Sequence, residues 1–143
     1  MEQSVGEAST KPARPLGVWI LTIYAALFDG LLPLATAVAL LFTTSTAGSP
    51  RAVDLVLPLV LSTGIIAAAI GTWRGNDRSR KALLVLITAY YVLIAVNNGI
   101  ALAGQGVPTE IQIKMLGRIV RGVVYPAVYI WYFRKDSTLV FYE

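Results

Sequence analysis

Cysteine and histidine are both missing from this chain of 143 residues. Their absence removes disulfides, zinc and iron–sulfur sites, thiol nucleophiles, imidazole acid–base chemistry and the commonest haem ligands together. No cofactor and no metal is therefore expected. Charge is scarce too: Asp, Glu, Lys and Arg make up 14% of the residues, against about 25% in ordinary soluble domains. The scarcity is uneven, because the stretches 53–73 and 82–104 hold one charge between them, Asp54. Helices of a soluble bundle keep a charged outer face, so a soluble bundle is the weaker alternative.

What fills the chain instead is apolar: 56% of residues, with a mean hydropathy of +0.66. A membrane-crossing helix needs about 20 mostly apolar residues at 1.5 Å rise each. Four stretches qualify: 16–42, 53–73, 82–104 and 111–133. The first follows Lys11 and Arg14, as the apolar part of a secretory signal would, but it is far longer than the 7–15 residues of such a segment. It reads as an uncleaved span. Residues 1–15, with Pro12 and Pro15 and no apolar period, read as a flexible tail, and 134–143 as a second tail. The expected fold is all-α, an integral membrane four-helix bundle running up-down-up-down, because short connections make sequential helices antiparallel.

Orientation follows from the basic residues. Lys11, Arg14, Arg74, Arg78, Arg80, Lys81, Arg134 and Lys135 fall on one side of such a bundle, with only Arg51 and Lys114 on the other. The positive-inside rule places both termini and the 74–81 connection in the cytoplasm. Trp19, Trp73 and Trp131 all fall at that same end, where indoles settle among headgroups. The expected location is the inner membrane, as a multi-pass protein, and the net charge of +4 reads as topology rather than nucleic-acid binding. In the second stretch Gly64, Ala67, Ala68 and Gly71 form overlapping small-xxx-small pairs, read as a packing seam.

The informative residues are polar ones inside the apolar runs. Asp29 lies 13 residues past Leu16, roughly 20 Å in. Arg121 lies 12 residues before Phe133, roughly 18 Å from the same surface. Asn97 and Asn98 reach a similar depth, as do Pro58, Ser62 and Thr63. Charges at mid-bilayer are costly and seek partners inside the bundle. The expectation is a polar layer in which Asp29 pairs with Arg121 or Arg118, supported by Asn97 or Asn98. Asp29 as a proton relay is a rarer alternative. Asp29-Gly30 and Pro33 also predict a kink or tilt in the first helix. Lys114, Arg118, Arg121, Tyr125, Tyr129 and Tyr132 form one helical stripe, basic at one half and phenolic at the other. It reads either as an anion pocket or as side chains reaching for the outer headgroups, with only Arg121 buried.

The runs RPLGVWILTIY, GTWRGNDRSRKALLVL and YIWYFRKDSTLVFYE resemble uncharacterised small four-helix bacterial integral membrane proteins. That resemblance implies the same topology and brings no activity. Arg118 and Arg121 are not part of the shared pattern.

With short loops and no catalytic constellation, the first functional expectation is a non-catalytic accessory or scaffold subunit of a larger membrane complex. Its partners would be the lipid bilayer and other membrane subunits, or copies of itself, and no nucleic acid. The second is a small-molecule, ion or lipid binding or transport protein built on Asp29, Asn97, Asn98, Arg118, Arg121 and Tyr125. An enzyme ranks third, because Asp29 is the sole plausible acid or base in the layer.

Overall fold

The computed structural model describes residues 15–43, 52–104 and 108–142, with the side chains of residues 43 and 52–55 excepted. The tail 1–14 with Lys11 and Arg14, Arg51 and the side chain of Asp54 lie outside the described residues.

The described chain is helical, with no strand among the described residues. Helix α1 has three parts: α-helical turns over Leu16–Tyr24, a π-helical segment over Ala25–Leu31, and α-helix again over Leu32–Thr43. Helix α2 is Ala52–Trp73, α3 is Asp77–Ala103 and α4 is Thr109–Phe133. A short α5, Asp136–Leu139, leads into a 3₁₀ turn, Val140–Tyr142.

Three stretches are long and apolar enough to cross a membrane: Leu16–Phe42, Val56–Trp73 and Asp77–Ala103, with mean hydropathies of 2.0, 1.8 and 1.9. Helix α4 has the length, at 25 residues, but Lys114, Arg118 and Arg121 dilute its apolar content and it is not among them.

The π segment answers the expected kink. Pro33 has no N–H, so the carbonyl four residues back, that of Asp29, loses its α-helical donor. The backbone ahead of Pro33 widens, and the Leu32 N–H reaches the Leu27 carbonyl five residues back, as π turns do. Gly30 then lets this wider section lie against α2: a Cβ there would stand 2.5 Å from Ile66 Cγ1.

The expected connection 74–81 is shorter than the sequence implies, because α3 begins five residues before its apolar run. Asn76 caps it, accepting from the N–H groups of Arg78 (2.9 Å) and Ser79 (3.3 Å), which supplies acceptors the first turn lacks. Gly75 makes the preceding bend at φ +81°, a value that glycine adopts without Cβ strain.

Packing is concentrated at the tryptophan end. Val18, Ala25, Ile65, Leu83, Ile87, Tyr129 and Phe133 are buried there in one cluster with Ala68, Ala69 and Tyr91. Trp19 and Trp73 meet at 5.6 Å. The small residues of α2 face α3, with Gly64 under Leu86 and Gly71 under Ser79. The C-terminal segment completes this end: Phe141 packs against the core cluster and the glycine at 75.

One buried cation ties the end together. Arg80 Nη1 donates to the Phe133 carbonyl at 2.6 Å, a group the end of α4 leaves without a helical donor. Its Nε and Nη2 donate to Asp77 Oδ1 at 2.8 and 2.5 Å, and its guanidinium lies 5.3 Å from the Tyr142 ring.

The opposite end is splayed. Helix α4 packs along α3 and meets α1 through Leu16–Tyr24. From Thr109 to Arg121 almost every α4 residue is exposed, as are Leu31, Leu32, Leu40, Leu41 and Phe42 of α1 and Ile100 of α3. A cleft therefore opens between α1 and α4 away from the tryptophans.

Candidate functional site

The cleft narrows to a cavity of about 440 Å³ enclosed by α1, α3 and α4. Its floor is Asp29, 3% exposed at the centre of the π segment. Asp29 Oδ1 accepts from the Tyr91 hydroxyl at 2.6 Å. Oδ2 is buried and has no hydrogen-bond partner among the described residues, an uncommon state for a buried polar atom.

The expected ion pair does not form. Among the described residues the ion pairs join Asp77 to Arg80 and to Lys81. Tyr91 takes the place foreseen for an arginine, its hydroxyl reaching from α3 to the π segment of α1. Depth along the membrane normal aligned Asp29 with Arg121, but the cleft separates the helices that carry them.

Arg118 and Arg121 do line the cavity with Asp29, Asn98 and Tyr125, and both arginines are exposed. They form its basic wall, and Arg121, expected to be buried with a partner, is exposed instead because the cleft opens beside this part of α4. Lys114 is exposed further out. Asn97 and Asn98 part company. Neighbouring residues on a helix point about 100° apart, so Asn98 is buried and lines this cavity, while Asn97 is exposed and reaches only a second cavity between α2 and α3, which Asn98 also borders. The Asn98 amide donates to the Ile94 carbonyl at 2.7 Å.

A further wall is aromatic, and of its residues the sequence pointed to Tyr125 alone. Phe28, Tyr24, Tyr125 and Tyr91 stack in series, with centroids 4.8, 5.8 and 5.3 Å apart. The Tyr24 hydroxyl lies 3.3 Å from that of Tyr125, and Tyr90 meets Tyr91 edge-on. Since the inner faces of the stack cover one another, they offer no cage for an organic cation. Spacing could have found Tyr91: Leu83, Ile87, Tyr91 and Asn98 share one helical face, and the first two carry the core. Tyr24 and Phe28 lie on the turns just before Asp29.

Below the cavity Tyr129 seals the tryptophan end, donating to the Leu21 carbonyl at 3.1 Å and stacking on Phe133 at 6.2 Å. The cavity therefore opens toward the splayed end and is stopped at the other. Gly122 sets the approach of α4 to α3 here, since a Cβ would stand 2.7 Å from Ala95 Cβ and 2.9 Å from the Tyr91 carbonyl oxygen.

Compared with family models, curated proteins and solved structures, the chain matches none.

Proposed function

We propose that the chain is a four-span, up-down-up-down protein of the bacterial inner membrane, with both ends in the cytoplasm, that binds an anionic head group in the α1–α4 cleft. The observation that carries this reading is the pair of exposed guanidinium groups, Arg118 and Arg121, set over a partly enclosed cavity with tyrosine hydroxyls beside them. Guanidinium forks suit phosphate and carboxylate oxygens. Its volume lies within the usual range of small-ligand sites.

Helix α4 serves as the fourth span despite its charges, because those charges line the cleft. Leu116, Val120, Val123, Val124 and Val128 are exposed along it and supply an apolar surface for acyl chains. The basic residues and tryptophans at the packed end support the orientation. The natural absence of cysteine makes that orientation directly measurable. In intact spheroplasts, a membrane-impermeant maleimide should spare Ser137→Cys and label Ser49→Cys, and the reverse pattern would overturn the topology.

The binding test uses bilayer nanodiscs of phosphatidylcholine, with or without phosphatidylmethanol, an anionic diester lacking head-group hydroxyls. The anionic lipid should raise the unfolding temperature of the wild type. It should lose that effect when Arg118 and Arg121 are both replaced by Gln. Equal stabilisation of wild type and double variant would end the reading.

The accessory-subunit reading keeps one specific support: Ile111, Ile113, Leu116 and Val120 are exposed on the part of α4 that other helices of the chain do not cover. Isolation in mild detergent separates the two. A larger membrane partner at fixed stoichiometry favours the subunit, and a chain recovered alone or with copies of itself favours the binder.

A further inference from the structure

We infer that the cavity selects a singly charged phosphodiester carrying a hydroxyl group, with the phosphate on Arg118 and Arg121 and the hydroxyl donating to Asp29 Oδ2. The inference rests on the anion-binding reading and adds what that reading leaves open, the chemical class of the head group.

Three observations lead there. Asp29 lines the cavity, and its buried Oδ2 lacks a donor among the described residues, while Oδ1 of the same carboxylate is satisfied by Tyr91. A buried acceptor without a partner bears the full desolvation cost of that group, so a ligand donor placed there gains more than it would at an exposed site. Second, the charges lining the cavity are one carboxylate and two guanidinium groups, an excess of one positive charge in a setting of low dielectric. A phosphodiester cancels it, whereas a zwitterionic head with an ammonium group leaves it standing. A neutral hydroxyl therefore fits Oδ2 better than an ammonium does. Third, the stacked rings bury their inner faces, which removes the aromatic cage that would reward a cationic head.

Such a head exists both on lipids and as a free solute, and the chemistry at Asp29 is the same for either. The cleft opens sideways between α1 and α4, so a lipid can enter from the bilayer and a solute from the splayed end.

The experiment compares phosphatidylglycerol with phosphatidylmethanol in phosphatidylcholine nanodiscs, titrating each against wild-type unfolding temperature. The two lipids share charge and tails and differ in the head-group hydroxyls. Phosphatidylglycerol should bind about tenfold tighter, as one hydrogen bond to a charged group would give. In Asp29→Asn the amide can turn its NH₂ group to the Oδ2 position, where the hydroxyl can only accept a neutral hydrogen bond in place of the charge-assisted one, and the preference should fall several-fold. The lipid comparison in the wild type needs no variant, so it decides the matter even if Asp29→Asn folds poorly. Equal affinities for the two lipids would overturn the inference while leaving anion binding intact. No stabilisation by either lipid would overturn both. Soluble glycerophosphoglycerol identifies the source: binding as tight as the lipid's supports a free solute, and binding of the lipid alone supports a bilayer ligand.

Discussion

Gly122→Ala is expected to lower stability by about 2 kcal/mol, and Gly122→Leu to prevent assembly of the site altogether. The added Cβ would stand 2.7 Å from Ala95 Cβ and 2.9 Å from the carbonyl oxygen of Tyr91. Neither neighbour is the far end of a flexible side chain, so α4 itself must move away from α3. That movement draws Arg121 and Tyr125, which flank Gly122 on α4, off the cavity floored by Asp29. The internal control lies five residues earlier. A Cβ on Gly117 meets nothing within 4 Å, and Gly117→Ala should stabilise α4 by up to about 1 kcal/mol through helix propensity alone. Opposite shifts in unfolding temperature for these two substitutions, read in one nanodisc preparation, check the packing of α4 on α3. Similar shifts of the same sign would mean that the two helices do not approach at Gly122.

Arg80→Ala should cost about 3 kcal/mol, the scale of hydrogen bonds made by a charged donor with little access to water. The guanidinium is nearly buried and joins the start of α3, the end of α4 and the ring of Tyr142. Removing it strands the Phe133 carbonyl and frees the C-terminal turn together. Arg80→Lys should recover little, because one ammonium cannot fork between Asp77 and Phe133 as a planar guanidinium does. Asp77→Asn provides the contrast: this carboxylate is partly exposed and shared with Lys81, so its loss should cost far less than that of Arg80. Proteolysis offers a second readout, with a site in residues 136–142 becoming cleavable in Arg80→Ala before the helices unfold.

Much of the helical architecture was legible because length and hydropathy are one-dimensional properties. The apolar runs from Leu16, Val53 and Ala82 needed no knowledge of neighbours to be read as helices. The start of α3 at Asp77 was missed, because its first five residues are polar or charged and lie outside the apolar run. The site was legible in part. Asp29, Asn98, Arg118, Arg121 and Tyr125 do meet around one cavity, because charge in an apolar run has few places to go. What depth could not give was direction around each helix axis. Asn97 and Asn98 have nearly the same depth, yet only Asn98 lines the cavity over Asp29, and Asp29 and Arg121 share a level without pairing. Tyr91 escaped notice because tyrosine in an apolar helix reads as packing, and its hydroxyl acquires a role only once Asp29 is brought to it.

The π segment explains why direction was the hard part, and its effect reaches beyond the cavity. Each residue wound in the wider spiral turns through a smaller angle than an α-helical residue, so the seven residues Ala25–Leu31 leave the remainder of the helix out of phase with its beginning. A helical wheel drawn through Leu16–Phe42 as one regular helix consequently assigns Leu32–Phe42 to the wrong compass bearings. Deleting a single residue between Ala25 and Leu31 would reset that phase and re-aim the outer third of the helix, leaving its composition almost untouched.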